Sequence, residues 1–222
     1  MNKILIVKTS ALGDITHTYP VIDYLRKKFP AVQIDWVVEA PFVDLVKFHP
    51  GVDHVLNLST KVWRKQLFSR ETVQSISAFR KQLRKECYDV IFDFQGNIKS
   101  GLILSQARGV HKVGFGKASV SEWPNMLFTN YRINVRAGDN IRQDYLSLVA
   151  SFFNEGSKET GGVKLNLETA VQDNKVMQGV ESESFPMGDD HSHKVKAAPI
   201  RRDYGSIDCV NLLSSTAVSR LT

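Results

Sequence analysis

The chain has 222 residues, of which 42% are hydrophobic and 9% aromatic, and its formal net charge is +6. This composition excludes collagen-like and wholly disordered proteins, and two cysteines are too few for a disulfide framework. The first clean apolar run, Ile4–Val7, is shorter than a signal peptide or a membrane-spanning helix requires, so we expect a soluble cytoplasmic protein.

The positive charge is unevenly distributed along the chain. Residues 1–168 hold 23 lysines and arginines against 16 acids, whereas the remaining residues are slightly acidic. A basic region of this kind attracts phosphates, nucleic acid or an anionic membrane face, and charge alone does not choose among them. We expect no nucleic-acid partner, because that function requires more than one basic loop.

Short apolar runs alternate with segments of helical period in the first part of the chain. Strands are predicted at residues 3–8, 33–39, 53–58, 88–94, 112–115 and 131–135. Helices are predicted at 15–29 with a break near Pro20, at 71–87, at 96–107 and at 140–153. This alternation predicts an α/β fold with a mostly parallel sheet and helices on both of its faces.

The ligand site of such a sheet lies beyond the carboxyl ends of its strands. After the first strand, Lys8 precedes a run of small residues and then Asp14, which opens a helix. Asp14 is suited either to cap that helix or to act as a general base on a hydroxyl group within about 2.6–3.2 Å. The spacing leaves both roles open.

Two further loops at this edge carry cations. The segment Lys61–Phe68 interleaves three cations with two aromatic residues, and Arg64 is suited to bidentate contacts with carboxylates or phosphates. A solvated basic turn is the alternative for this segment. Lys99 lies in the first turn of a predicted helix, where a cation opposes the helix dipole, so binding and structural roles are both open. We expect no metal or cofactor, because neither a zinc-type spacing nor a P-loop ending occurs.

Five segments resemble the lipopolysaccharide inner-core heptosyltransferases, in the right order over about 165 residues: KILIVKTSALGDITHTYP, IDWVVEAPF, KVWRKQLF, YDVIFDFQGNIKSG and KVGFG. The resemblance implies a two-domain GT-B glycosyltransferase whose N-terminal half holds the sugar acceptor and whose C-terminal half holds ADP-heptose. It implies transfer of heptose from ADP-L-glycero-D-manno-heptose to Kdo of Kdo-lipid A, with inversion, by a peripheral enzyme at the cytoplasmic face of the inner membrane.

The resemblance also assigns roles to particular residues. Asp14 matches the family's proposed catalytic base, which removes the proton from the Kdo hydroxyl. Lys8, Lys61, Arg64 and Lys99 match basic positions that face the carboxylates and phosphates of the acceptor.

The resemblance stops after Leu167, and the last 54 residues contain only two of the 21 aromatic residues. We therefore expect an acceptor-binding Rossmann-like domain at residues 1–165 and an irregular tail outside the family pattern at residues 166–222. A truncated or frame-shifted gene product explains such a break, and it predicts little or no transferase activity. The alternative function is a non-catalytic binding module for an anionic glycolipid.

Overall fold

The computed structural model describes residues 1–66, 68–135 and 140–158, with side chains described as far as residue 154. Six strands form one sheet: β1 (Lys3–Val7), β2 (Gln33–Glu39), β3 (His54–Leu58), β4 (Cys87–Asp93), β5 (Arg108–Phe115) and β6 (Tyr131–Ile133). All neighbouring strands are parallel, in the order β3-β2-β1-β4-β5-β6.

Helices connect the strands. They are α1 (Leu12–Thr16), α2 (Tyr19–Lys28), α3 (Val43–Lys47), α4 (Thr60–Lys65), α5 (Arg70–Lys85), α6 (Ile98–Gln106) and α7 (Ile141–Lys158). Short 3₁₀ helices at Ala40–Phe42 and Trp123–Phe128 complete the connections. Within the described ranges, no helix has both the length and the hydrophobicity needed to cross a membrane.

Apolar side chains cover both faces of the sheet because successive residues of a strand point to opposite sides. In β1, Ile4 and Ile6 pack with α2, α3 and α7, whereas Leu5 and Val7 pack with α5 and α6. A strand that is buried on both sides has no polar alternation, which is why Ile4–Val7 is continuously apolar. The predicted α/β class, with a parallel sheet and helices on both faces, is confirmed.

Several predicted boundaries differ from the structure. The helix predicted at 71–87 ends at Lys85, because Glu86 has extended backbone (φ −100°, ψ 153°) and Cys87 begins β4. The segment after β3 is not a loop, since Thr60–Lys65 forms α4. The predicted break near Pro20 is confirmed, because this proline lies in the first turn of α2, separate from α1. The tail predicted at 166–222 lies outside the described residues.

Helix α6 provides a matched pair of leucines for testing the packing of its face of the sheet. Leu104 is fully buried against the sheet, whereas Leu102 is 55% exposed. We expect Leu104→Ala to lower the free energy of unfolding by about 2–5 kcal/mol, because it leaves a cavity that the core does not refill. Leu102→Ala should stay within about 0.5 kcal/mol of the wild type. Urea unfolding followed by circular dichroism measures both, and equal losses would show that α6 packs differently in solution.

Candidate functional site

From β1 the chain builds the sheet outward through β2 and β3, and it then crosses back to place β4 on the other side of β1. The loops that follow β1 and β4 therefore lead in opposite directions, which leaves a crevice between them at the carboxyl edge of the sheet. The side chain of Gln95 ties the two loops together. Its Oε1 accepts hydrogen bonds from the backbone N–H of Thr9 at 3.0 Å, the Thr9 hydroxyl at 3.1 Å and the Ser10 N–H at 3.2 Å. The walls of the crevice are therefore fixed relative to each other.

Lys8 is the buried cation of this crevice, with only 4% of its side chain exposed. Its ammonium group donates to Asp14 Oδ2 at 3.0 Å and to the Phe94 carbonyl at 3.3 Å, and it lies 5.4 Å from the centre of the Tyr145 ring. Burial lowers the pKa of Lys8 below its ordinary value, and the neighbouring Asp14 carboxylate works in the opposite direction. The site thus holds a desolvated cation against a carboxylate.

Asp14 does not cap the helix that it was predicted to open. The cap position of α1 is Ala11, and Asp14 lies in the first helical turn with 38% of its side chain exposed. Its carboxylate contacts Lys8 on the inner side of the crevice. The structure therefore excludes the helix-capping role for Asp14, and it leaves the carboxylate partly exposed, where a ligand can reach it.

A cavity of about 390 Å³ opens beside this ion pair. Polar side chains of several elements line it, and its walls also include aromatic rings. The lining includes Lys8, Asp14, Gln95, Ser119, Ser121, Asp144, Tyr145 and Phe115. A volume of this size accommodates a sugar ring together with part of its substituents.

The loop after β4 is built around the buried carboxylate of Asp93, both of whose oxygens accept hydrogen bonds. Asp93 Oδ1 accepts from the N–H groups of Gln95 and Gly96, and Oδ2 accepts from the Ser100 hydroxyl at 2.8 Å and the Asn125 amide at 2.7 Å. Burial raises the pKa of Asp93, and these donors oppose that rise. Gly96 allows the turn, because its φ of 65° is strained for residues with a side chain. Asp93 therefore has a structural role and positions Gln95.

Lys99 has a protein partner. Its ammonium group lies 3.1 Å from Oε1 of Glu39, a side chain that is only 5% exposed at the end of β2. Glu39 also accepts hydrogen bonds from the backbone N–H and the hydroxyl of Thr60, the first residue of α4. The ion pair with Glu39 thus explains a cation in the first turn of α6. Together with the Thr60 hydrogen bonds, it ties the end of β2 to the starts of α4 and α6. With 34% of its side chain exposed, Lys99 also remains accessible to a ligand.

The five residues predicted for the site fall into two groups. Lys8 and Asp14 line the cavity together. Lys61 and Arg64 lie exposed on α4, outside the lining of the cavity, and Lys99 reaches this helix only through Glu39. The structure therefore brings the predicted base and one cation together, and it places Lys61 and Arg64 on α4 and Lys99 in the first turn of α6.

Two residues of this region were not predicted from the sequence. Tyr145 of α7 is 2% exposed, and burial together with the nearby carboxylates of Asp14, Asp144 and Asp93 raises the pKa of its hydroxyl. Glu39 carries a charge at the carboxyl end of a buried strand, which is a pattern that would have singled it out. Across the described ranges, no three His, Cys, Asp or Glu side chains come together as metal ligands.

Comparisons with known proteins relate this chain to glycosyltransferases. The profile of glycosyltransferase family 9 (heptosyltransferase) matches residues 76–184, a match that runs past the boundary predicted at residue 165. Lipopolysaccharide heptosyltransferase 1 of Escherichia coli K12 is 32% identical over 161 residues, which are 72% of this chain and 50% of that protein. Its counterpart in Pseudomonas aeruginosa is 32% identical over 120 residues. The chain thus spans about half the length of the Escherichia coli relative.

Solved structures show the same relationship. The Escherichia coli heptosyltransferase WaaC with ADP superposes with a TM-score of 0.64 at 32% identity, over 67% of this chain and 47% of that one. A family 9 glycosyltransferase of Veillonella parvula, at 16% identity and a TM-score of 0.54, shares the fold. Sequence and fold together relate this chain to one half of the heptosyltransferases of glycosyltransferase family 9.

Proposed function

We propose that residues 1–165 form the acceptor half of a heptosyltransferase that acts in the assembly of the lipopolysaccharide core, with ADP-L-glycero-D-manno-heptose as donor and Kdo-lipid A as acceptor. The observation that carries this proposal is the Lys8–Asp14 pair in a cavity between the β1 and β4 loops. The similarity to a heptosyltransferase solved with ADP supports the choice of reaction.

In this proposal Asp14 is the general base. A Kdo hydroxyl docks in the cavity against the Asp14 carboxylate, and its oxygen attacks the anomeric carbon of the heptose. The bond from that carbon to the ADP phosphate oxygen breaks, the electron pair leaves with ADP, and the hydroxyl proton passes to Asp14. A single displacement of this kind inverts the anomeric configuration. Lys8 orients the carboxylate by holding Oδ2, which leaves the group's second oxygen available for the hydroxyl.

The acceptor is polyanionic, and the cations of this edge suit it. Lys8 supplies positive charge inside the cavity, where a carboxylate of Kdo would meet it. Lys61 and Arg64 on α4, together with Lys99 in the first turn of α6, are proposed to contact phosphates and further carboxylates of the acceptor. Because the acceptor is a lipid, the proposed place of action is the cytoplasmic face of the inner membrane.

Asp14→Asn tests the proposed base, because it keeps the shape of the side chain and removes its proton-accepting charge. In a chimaera that joins residues 1–165 to the half of the Escherichia coli relative that this chain does not match, we expect transfer to fall by about 10²–10⁴-fold. Binding of a de-acylated Kdo-containing headgroup, measured by calorimetry on the 222-residue chain, should stay within about threefold of the wild type. The 222-residue chain alone should bind the headgroup with little or no transfer.

Asp44→Asn is the control, because Asp44 is an exposed carboxylate in the first turn of α3. It should change neither transfer nor binding. Transfer at the wild-type rate by the Asp14→Asn chimaera would show that Asp14 is not the base. Headgroup binding without any transfer by the wild-type chimaera would support the alternative function, a non-catalytic module for anionic glycolipid.

The Lys8–Asp14 pair also makes a prediction about protonation. Asp14 favours the charged form of Lys8, whereas burial disfavours it. Removing the Asp14 charge in Asp14→Asn leaves burial unopposed, so the pKa of Lys8 should fall further below its ordinary value. Titration of the Lys8 Cε resonance by NMR measures this shift, with Asp44→Asn as the control that leaves it unchanged. An unaltered pKa in Asp14→Asn would mean that the two groups do not pair in solution.

A further inference from the structure

The net positive charge of residues 1–168 is concentrated in one segment of the chain. We call residues 60–85, which comprise α4 and α5, the basic hairpin. It holds eight lysines and arginines against one acid, Glu71, whereas the rest of residues 1–168 holds 15 cations and 15 acids. All eight cations of the basic hairpin are exposed. Neutral surroundings and one strongly cationic element are what a surface for an anionic partner requires.

The same hairpin exposes large apolar side chains. Phe68, between the two helices, is 99% exposed, and Val62 and Val73 are 59% and 57% exposed. A fully exposed phenylalanine contributes nothing to the core, and it lies within a few residues of Arg64, Lys65 and Arg70. Cations beside exposed apolar groups form the pattern that binds the interface of a bilayer, where headgroups and acyl chains meet.

The inner side of the basic hairpin packs against the sheet. Trp63 packs against Phe79 with 5.8 Å between ring centres, and its indole N–H donates to Ser75 Oγ at 3.0 Å. Phe79 and Leu83 belong to the core on this face of the sheet. These contacts hold the hairpin to the body of the protein and turn its cations outward.

One side of α5 carries exposed apolar and cationic residues in a row. Val73, Arg80 and Arg84 follow one another at spacings of seven and four, which places them along the same side of the helix. Arg84 donates to the carbonyl and the side chain of Gln106, so it is engaged with α6. Arg80 is exposed, as is Lys81 beside it.

We propose that the basic hairpin docks this protein on a bilayer rich in anionic lipid, with its cations on the headgroup phosphates and Phe68 inserted at the interface. The inference deepens the proposed function, since it rests on an acceptor that is itself a lipid. It assigns the membrane contact to a defined surface that includes residues beyond the proposed acceptor contacts.

Vesicle co-sedimentation of the 222-residue chain tests the proposal. We expect binding to vesicles with phosphatidylglycerol in phosphatidylcholine, little binding to phosphatidylcholine alone, and release by 0.5 M salt, about the level that screens surface charges. The double variant Arg70→Glu/Lys81→Glu should lower partitioning by at least about tenfold, given roughly fivefold for each basic residue near an anionic surface. Phe68→Ser should lower it several-fold.

The opposite face of the sheet provides matched controls. Lys27 and Lys47 are exposed cations on α2 and α3, and Phe48, which follows α3, is 86% exposed. Lys27→Glu/Lys47→Glu and Phe48→Ser carry the same chemical changes, and both should bind anionic vesicles as the wild type does. Equal losses in the two sets, or no binding by the wild type, would contradict the proposal.

A second measurement does not depend on charge-reversal variants. In Phe68→Trp, the new indole should be quenched by phosphatidylcholine brominated on its acyl chains in mixed anionic vesicles, whereas the indole of Phe48→Trp should not. Binding to a DNA duplex that matches vesicle binding, with no effect of Phe68→Ser on either, would assign the surface to soluble polyanions and overturn the proposal. None of these vesicles contains Kdo, so failure here leaves the headgroup-binding test of the proposed function standing.

Discussion

The parallel pairing of β1 with β4 determines where the candidate site residues lie. Val7 pairs with Asp93, so both strands end at the same level at the centre of the sheet. The loops that follow then meet through Gln95, and the Lys8 ammonium reaches across to the Phe94 carbonyl. A shift of one residue in this register would turn every side chain of β1 to the opposite face, where it would have to repack, and it would also separate these groups.

Burial makes this arrangement rigid. Asp93 keeps its place because four donors compensate the cost of removing a carboxylate from water, and Lys8 is buried beside Asp14 for the same reason. The result is a site whose charges are held by hydrogen bonds before any ligand arrives. Such preorganisation suits the general base proposed at Asp14, since a fixed carboxylate needs little rearrangement when a ligand binds.

Much of the fold was predictable because buried parallel strands produce continuous apolar runs. QIDWVVE was predicted as β2 with its observed bounds. The predicted end of α5 was wrong because Cys87 continues the helical spacing of Phe79 and Leu83, although the backbone of Cys87 already belongs to β4. Helix α4 was missed because its six residues are too few to display a 3.6-residue period.

The site was predictable only in part. Lys8 and Asp14 are neighbours in sequence within one loop, so a local pattern revealed them. The ring of Tyr145 reaches Lys8 from α7, and Glu39 reaches Lys99 from β2, and these contacts depend on the order of the strands. Long-range neighbours of this kind follow from the topology, and no single segment of the sequence encodes them.

In the proposed function, the site at the carboxyl edge binds the acceptor sugar, and the basic hairpin binds the bilayer that carries it. Cations near Asp14 are few and engaged, whereas those of the hairpin are many and exposed. The claim on which this account depends is that the acceptor sugar occupies the cavity between the β1 and β4 loops.

Amide chemical-shift mapping with the de-acylated Kdo headgroup tests that claim most directly. The account predicts that the largest shifts fall on the loop residues 8–14 and 94–97 and on α7 around Tyr145. Saturable shifts confined to the opposite edge of the sheet, around Asn2 and His54, or the absence of any shift, would contradict it.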